Sequence, residues 1–258
     1  MDDFAAQLAH LPDKVSQGLT SHNNKMARYL FDMAHMDGLE GLGARKALPY
    51  GLLKYFKKVM DLYDDSTASL LGQLRRSGFI VQCRPQCTHC CTHMPAGLGT
   101  IELLYIYHGM GRSGSGVMDR IFRHCMEAEE SWAEVLRRCM SQSISEGGRD
   151  CPEDLALSQY YHLGQPCPFL SKSLCQIYPY RPFACRMHFS LTPSHWCDPF
   201  HFQNAHAVQF NLEPGDGVYD ALERLNNRFQ LNLSDVMVCG LLELTVNVMQ
   251  FERIRWLH

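Results

Sequence analysis

The stretch CRPQCTHCCTHMP, residues 83–95, brings four cysteines and two histidines into thirteen positions. A second group, Cys167, Cys175, Cys185 and Cys197, follows in segments that are again rich in proline. Such crowding suits a disulfide scaffold, a redox dithiol, a metal site or a coincidence of composition. A chain of 258 residues buries enough apolar surface to need no disulfides, and its N-terminus, MDDFAAQLAH, has no apolar run of a secretory signal. The expected compartment is therefore the reducing cytoplasm, where thiols stay free. Cys90 and Cys91 are also neighbours, a spacing at which an unstrained disulfide is geometrically difficult. A redox Cys-x-x-Cys belongs on a thioredoxin-like βαβ unit, and none flanks Cys87–Cys90.

Metal binding is the chemistry that the pattern favours. Thiolates are soft ligands that select zinc, copper(I) or iron–sulfur clusters, and Cys87-x-x-Cys90 has the usual spacing for two ligands on one turn. Arg84, Arg181 and Arg186 stand beside cysteines in the sequence, where guanidinium groups would offset the negative charge of a thiolate site. The expected ligand set is Cys83, Cys87, Cys90, Cys91, Cys167, Cys175, Cys185 and Cys197. His89, His93, His188, His195 and His201 lie close enough in sequence to replace a thiolate, although a surface or supporting role is commoner for such histidines.

The elements around these segments are helical. Met26, Tyr29, Leu30, Met33 and Met36 recur at spacings of three and four, as do Leu52, Leu53, Phe56, Val59, Met60 and Tyr63. Pro49 suits the first turn of the second helix, which runs on through Leu70, Leu71 and Leu74 to a stop at Ser77-Gly78. Thr100 is expected to cap TIELLYIYHGM, with Glu102 in its first turn. A longer helix over 116–142 turns Val117, Ile121, Cys125, Ala128, Trp132, Val135 and Cys139 to one face. Cys125 and Cys139 are thus core residues by expectation, as is Cys239 in a last helix over 234–256 capped by Ser234. A short helix opens at Pro152, and CPFL (167–170) and LCQIY (174–178) predict a small hairpin. RPFACRMHF (181–189) predicts a helical turn, HAVQFNL (206–212) a strand, and 216–230 a helix with Val218, Leu222, Leu225 and Phe229 inward. The fold class is mainly α, with a central cysteine-rich loop region and a small β-hairpin. Helical regions over 1–80 and 201–258 would flank a cysteine-cluster core over 81–200 in one compact unit.

Charge and hydropathy exclude other classes. A net charge of -3 argues against a nucleic-acid binder, and the most apolar stretch, residues 236–251, contains Glu243 and Asn247 and is too short for a membrane span. GMGRSG (109–114) matches a dinucleotide-binding glycine pattern, yet helices are expected on both sides of it, so it reads as an interhelical loop.

The order of the motifs resembles the YkgJ-type cysteine-cluster family, described as zinc- or iron-chelating. Its pattern of C-x-x-C-x-x-C-C, then C-P-F-L, C-x-I-Y and R-P-x-x-C-R, is met by CTHCC (87–91), CPFL (167–170), CQIY (175–178) and RPFACR (181–186). The likeness spans about residues 80–200 and implies Cys87, Cys90, Cys91, Cys167, Cys175 and Cys185 as the cluster. At the position of the first family cysteine this chain has Arg84, with Cys83 one residue earlier. Cys83 and Cys197 are therefore added from local position alone. The cysteine pattern is also similar to that of flagellin lysine N-methylases, which implies an iron–sulfur cluster, with [4Fe–4S] preferred, and zinc as the alternative. Three roles stay open: a structural centre whose helical ends bind a protein partner, a redox or catalytic centre that by analogy would methylate a protein side chain, and metal storage or delivery.

Overall fold

The computed structural model describes residues 13–84, 86–146 and 151–257. The chain is mainly α-helical, with only short two-stranded sheets among the described residues. One apolar core runs from Met26 near the N-terminus to Met249 near the C-terminus. Helix α1 (Asp13–Ala34), followed by the single-turn α2 (Leu42–Arg45), buries Met26, Leu30 and Met33. It packs against α3 (Leu52–Arg76) and α7 (Asp216–Arg228). These are the stripes that the three- and four-residue spacing predicts, and on α7 Val218, Leu222 and Leu225 face inward as expected.

Helix α4 (Thr100–Met110) is different: every residue but His108 is buried, so it has no polar face and lies at the centre. Phe56 of α3 meets Tyr105 edge-on at 5.3 Å between ring centres. Helix α8 (Met237–Glu243) crosses α4 so closely that a Cβ on Gly240 would stand 2.8 Å from the Leu103 side chain and 2.1 Å from the Ser234 carbonyl oxygen. Only glycine fits that crossing. The long helix α5 (Ser115–Glu146) buries Ile121, Cys125, Ala128, Trp132, Val135 and Cys139, and packs on α6 (Pro152–Tyr161) and α8. Between Met110 and its start at Ser115 the chain makes a turn that holds Gly111 and Gly114 of GMGRSG, while Gly109 belongs to α4, so the motif joins two helices as the sequence implies. The sequence also predicts a loop break at Gly147-Gly148, a pair that lies outside the described residues.

Three expectations are corrected. Pro49 does not open a helix; it ends β1 (Ala47–Pro49), and α3 begins after Gly51, whose positive φ of 85° reverses the chain. Thr100 is the first residue of α4, and Gly99 is the cap, its N–H donating to Glu102 Oε2 at 3.1 Å. The last helix is shorter than expected. It starts at Met237, becomes a π-helical turn over Leu244–Met249 and stops where Gln250 and Phe251 both adopt positive φ. Lys46 Nζ donates to Gln250 Oε1 and Glu252 Oε1, each at 2.6 Å, and so anchors the reversal. The chain then lays β6 (Arg255–Leu257) parallel to β1, pairing Ala47 with Arg255. Among the described residues no helix is long and apolar enough to cross a membrane.

The cysteine-bearing segments have little regular structure. The expected hairpin is present as β2 (Leu170–Ser171) and β3 (Leu174–Cys175), joined by Lys172 and Ser173 at positive φ. Phe183–Cys185 forms a single 3₁₀ turn after Pro182. The chain then enters β4 (His188–Ser190), which pairs antiparallel with β5 (Gln209–Asn211) within the predicted strand 206–212.

Candidate metal centre

Each cysteine segment is fixed by a few specific bonds. Cys87 N donates to Arg84 O at 3.0 Å, and a 3₁₀ turn over His89–Thr92 carries Cys90 and Cys91. Cys167 N donates to Cys91 O at 2.7 Å, which joins the first cysteine group to the second. Beyond the first group, Met237 N donates to Pro95 O at 2.9 Å and Leu98 N to Asp235 O at 3.0 Å, tying this loop to the start of α8. The turn over Tyr178–Tyr180 leans on α4, where Tyr180 packs over Gly109 so tightly that a Cβ there would meet it at 2.5 Å.

Two buried polar residues join the cysteine region to the helices. Glu102 of α4 accepts from Phe183 N at 2.9 Å with one carboxyl oxygen and from Gly99 N with the other. Burial pushes this carboxyl up to about 7, against the lowering effect of the two backbone donors. Arg186 is 8% exposed; its guanidinium donates to Arg181 O at 2.9 Å and Pro179 O at 3.0 Å and is ion-paired with Asp64 of α3. It therefore acts as a hub for the 179–186 turn as well as a charge near Cys175, whose thiol burial raises and Arg181 and Arg186 pull part of the way back. Glu102 is a residue whose importance the sequence hides, because a glutamate three residues into a helix already has a capping role.

Six cysteines line one cavity of about 860 Å³: Cys87, Cys90, Cys91, Cys167, Cys175 and Cys185. They arrive from three separate stretches of chain. Cys83 and Cys197 do not line it. They lie alongside, each held by Ser190, Cys83 through its backbone and Cys197 through its side chain, with Cys87 and Cys90 as their thiol neighbours. Of the other cysteines, Cys125 and Cys139 are buried in the helical core as expected, and Cys239 is half-buried against it. Cys151 is exposed, its Sγ donating to Glu153 Oε2 at 2.9 Å. All twelve cysteines are free thiols in the structure.

Arg181 is the only charged lining residue among those described, and no carboxylate lines the cavity. Its guanidinium lies over the Tyr178 ring at 3.7 Å, with Nε donating to Tyr178 O at 3.2 Å and Nη1 to Cys185 O at 3.4 Å. Arg84 is exposed and does not reach the cavity. Burial pushes the Cys185 thiol up to about 12, with Arg181 pulling it down, and raises Cys167 and Cys175 by the same cause. Cys90 is raised first by its hydrogen bond with the Cys91 thiol. These thiols are thus held protonated until a stronger partner displaces the proton. His93 and His188 line the cavity; His89, His195 and His201 do not. His93 stacks on Tyr161 at 4.1 Å and on His188 at 5.7 Å, and burial pulls it down to about 4. His188 Nδ1 is bonded to Asn211 Oδ1 at 2.7 Å.

Among the described residues no three His, Cys, Asp or Glu side chains are gathered closely enough to hold a metal ion as they stand. The donor chemistry still fits a soft metal: the described lining of this space has six cysteines, one cation and no carboxylate, which suits zinc or iron–sulfur and not calcium or magnesium. Comparison of the chain with protein-family models, with curated proteins and with solved structures finds no match.

Proposed function

We propose that this chain is a cysteine-cluster protein that holds an iron–sulfur cluster, [4Fe–4S], with a redox or catalytic role. The observation that carries this reading is that six cysteines from three chain segments line one cavity, with Arg181 as the only charged residue among the described lining. The ligands would be drawn from Cys87, Cys90, Cys91, Cys167, Cys175 and Cys185, the set that the resemblance to the YkgJ-type family implies. Such a cluster, when bound, supplies one-electron chemistry whose potential depends on burial and hydrogen bonding around the sulfurs. Arg181 offsets ligand charge, and Arg186 and Glu102 hold the turn that presents Cys185. A cytoplasmic setting suits the free thiols.

Zinc has its own supporting observation. Cys83 and Cys197 stand beside Cys87 and Cys90, and four thiols are the donor set of a closed structural zinc site. In that reading the centre is a rivet and the helical regions meet a protein partner.

Anaerobic purification, with iron, zinc and acid-labile sulfide counted beside the visible spectrum, decides between them. Brown protein with roughly four iron and four sulfide per chain is the expected result. Colourless protein with stoichiometric zinc and no sulfide overturns the cluster in favour of the rivet.

A further inference from the structure

The cavity is larger than its thiols require. At about 860 Å³ it matches the spaces that enclose whole organic ligands, well beyond what one metal ion or a compact cluster fills. Besides the cysteines the lining is largely apolar, formed by Met94, Leu157, Phe169, Ile177, Met187 and Met237. Phe169, Ile177 and Met237 are each no more than 2% exposed, so this wall belongs to the rigid core. The stacked rings of His93, Tyr161 and His188 add a flat aromatic face. At the rim Leu174 and Tyr178 are 51% and 59% exposed, apolar surface that the fold leaves in water at the entrance.

Charge narrows what such a space takes. Among the described residues Arg181 is the only charged one in the lining and no carboxylate joins it, so they offer no counter-ion for a cation. Arg181 is pinned as a flat plate by Tyr178 and by the Tyr178 and Cys185 carbonyls. Those bonds use Nε and Nη1, and Nη2 has no hydrogen-bond partner among the described residues. A guanidinium edge so presented is shaped for an oxyanion.

We propose that the cavity binds a small organic oxyanion with an apolar body, its anionic group on Arg181 and its body on the Met94, Leu157 and Met237 wall, beside the thiols. This rests on the reading of the thiols as the metal centre, since it makes the molecule that centre's substrate or ligand. A carboxylate, a sulfonate and a phosphate share the recognising chemistry.

The test uses the metal-loaded chain, purified anaerobically, and equilibrium dialysis against three naphthalene probes of similar size: a sulfonate, an uncharged amide and an alkylammonium. The expected order is sulfonate tightest, amide weaker and ammonium unbound. Leu157→Trp fills the cavity from α6, well away in sequence from any proposed ligand, and is expected to weaken the sulfonate at least about tenfold at unchanged metal content. Ser158→Trp, at an exposed helix position lining the same space, is the second variant should the first not fold. Arg181→Gln is expected to weaken the sulfonate about tenfold or more, and the amide by less than about twofold. Equal binding of sulfonate and ammonium overturns the ligand class, and sulfonate binding untouched by both tryptophans places the ligand elsewhere. No probe binding with metal retained refutes the ligand and leaves the centre standing. Normal sulfonate binding by protein that never acquires metal refutes the centre and leaves the ligand.

Discussion

The helices and the cysteine region hold together by different means. In α1, α3 and α5 cohesion is local and repeated: apolar residues every three or four positions disappear into one core. Between Cys83 and Leu212, apart from the two helices α4 and α5 and the short α6, the chain has strands of two or three residues and single 3₁₀ turns. Most of its backbone bonds there reach only three residues back, as from Leu170 to Cys167, Tyr180 to Ile177 and Cys185 to Pro182. Its large buried side chains are few, chiefly Phe169, Ile177 and Phe183. Short turns of this kind give little cooperative stability, so a region built from them needs a further tie. Glu102 and Arg186 are two such ties, and the proposed metal is the third.

The largest effect should therefore come from removing the metal. Under reducing conditions a chelator is expected to cut amide-exchange protection more than about 100-fold over 86–95 and 167–201, and less than about threefold in α1 and α3. Exchange mass spectrometry resolves the two regions. Uniform loss across the chain would merge them into a single cooperative unit and remove the contrast.

A middle-sized effect lies at the seam. The folded carboxyl of Glu102, at about 7, lies above its ordinary value of 4.5, so the folded protein binds the proton more tightly than the unfolded chain does. Its contribution is complete below about pH 4.5 and is lost as pH rises through about 7, a change of roughly 3 kcal/mol. Glu102→Gln does not titrate, so wild type should lose about that much relative to the variant between pH 4.5 and 8. Denaturant unfolding of both metal-loaded proteins at each pH measures it, because ionisations common to the two cancel. Parallel pH curves would show that the carboxyl does not change its proton on unfolding.

The contrast also explains what the sequence makes legible. Periodicity over Val117–Cys139 depends only on neighbours along one helix, and that stripe is buried from Ile121 to Cys139, with Val117 partly buried at its start. The pairing of Ala47 with Arg255 joins opposite ends of the chain, and no local pattern announces it. Pro49 misleads for a related reason: its fixed φ suits a helix start and a strand end equally, and the distant strand decides. The final helix is likewise ended by Lys46, some two hundred residues earlier, clasping Gln250 and Glu252. In the cysteine region the motifs carry most of the signal. They pick out the six cysteines that line the cavity, while Cys83 and Cys197, added from position alone, fall beside it. The apolar wall was not legible, since Met94, Leu157, Phe169 and Met237 come from four segments and each looks like ordinary core.

The smallest effect sharpens the comparison most, because it sets cysteine against cysteine. Burial raises Cys125 and Cys185 alike, each to about 12. Burial is the only cause at Cys125, which has the Cys167 thiol in its neighbourhood but no cation, whereas Cys185 has Arg181, Cys175 and Cys90 for company. Company is what makes a buried thiol a ligand: neighbouring thiols share a metal, and a nearby cation eases loss of the proton. Cys125→Ala and Cys139→Ala should each cost about 1 kcal/mol of unfolding stability, the price of a lost buried sulfur, at unchanged metal content. Cys185→Ala removes a similar volume and is expected to lower the bound metal at least tenfold by elemental analysis. Equal metal loss from Cys125→Ala and Cys185→Ala would mean that burial, and not company, selects the ligands, and the division between helical core and cysteine centre would have to be redrawn through α5.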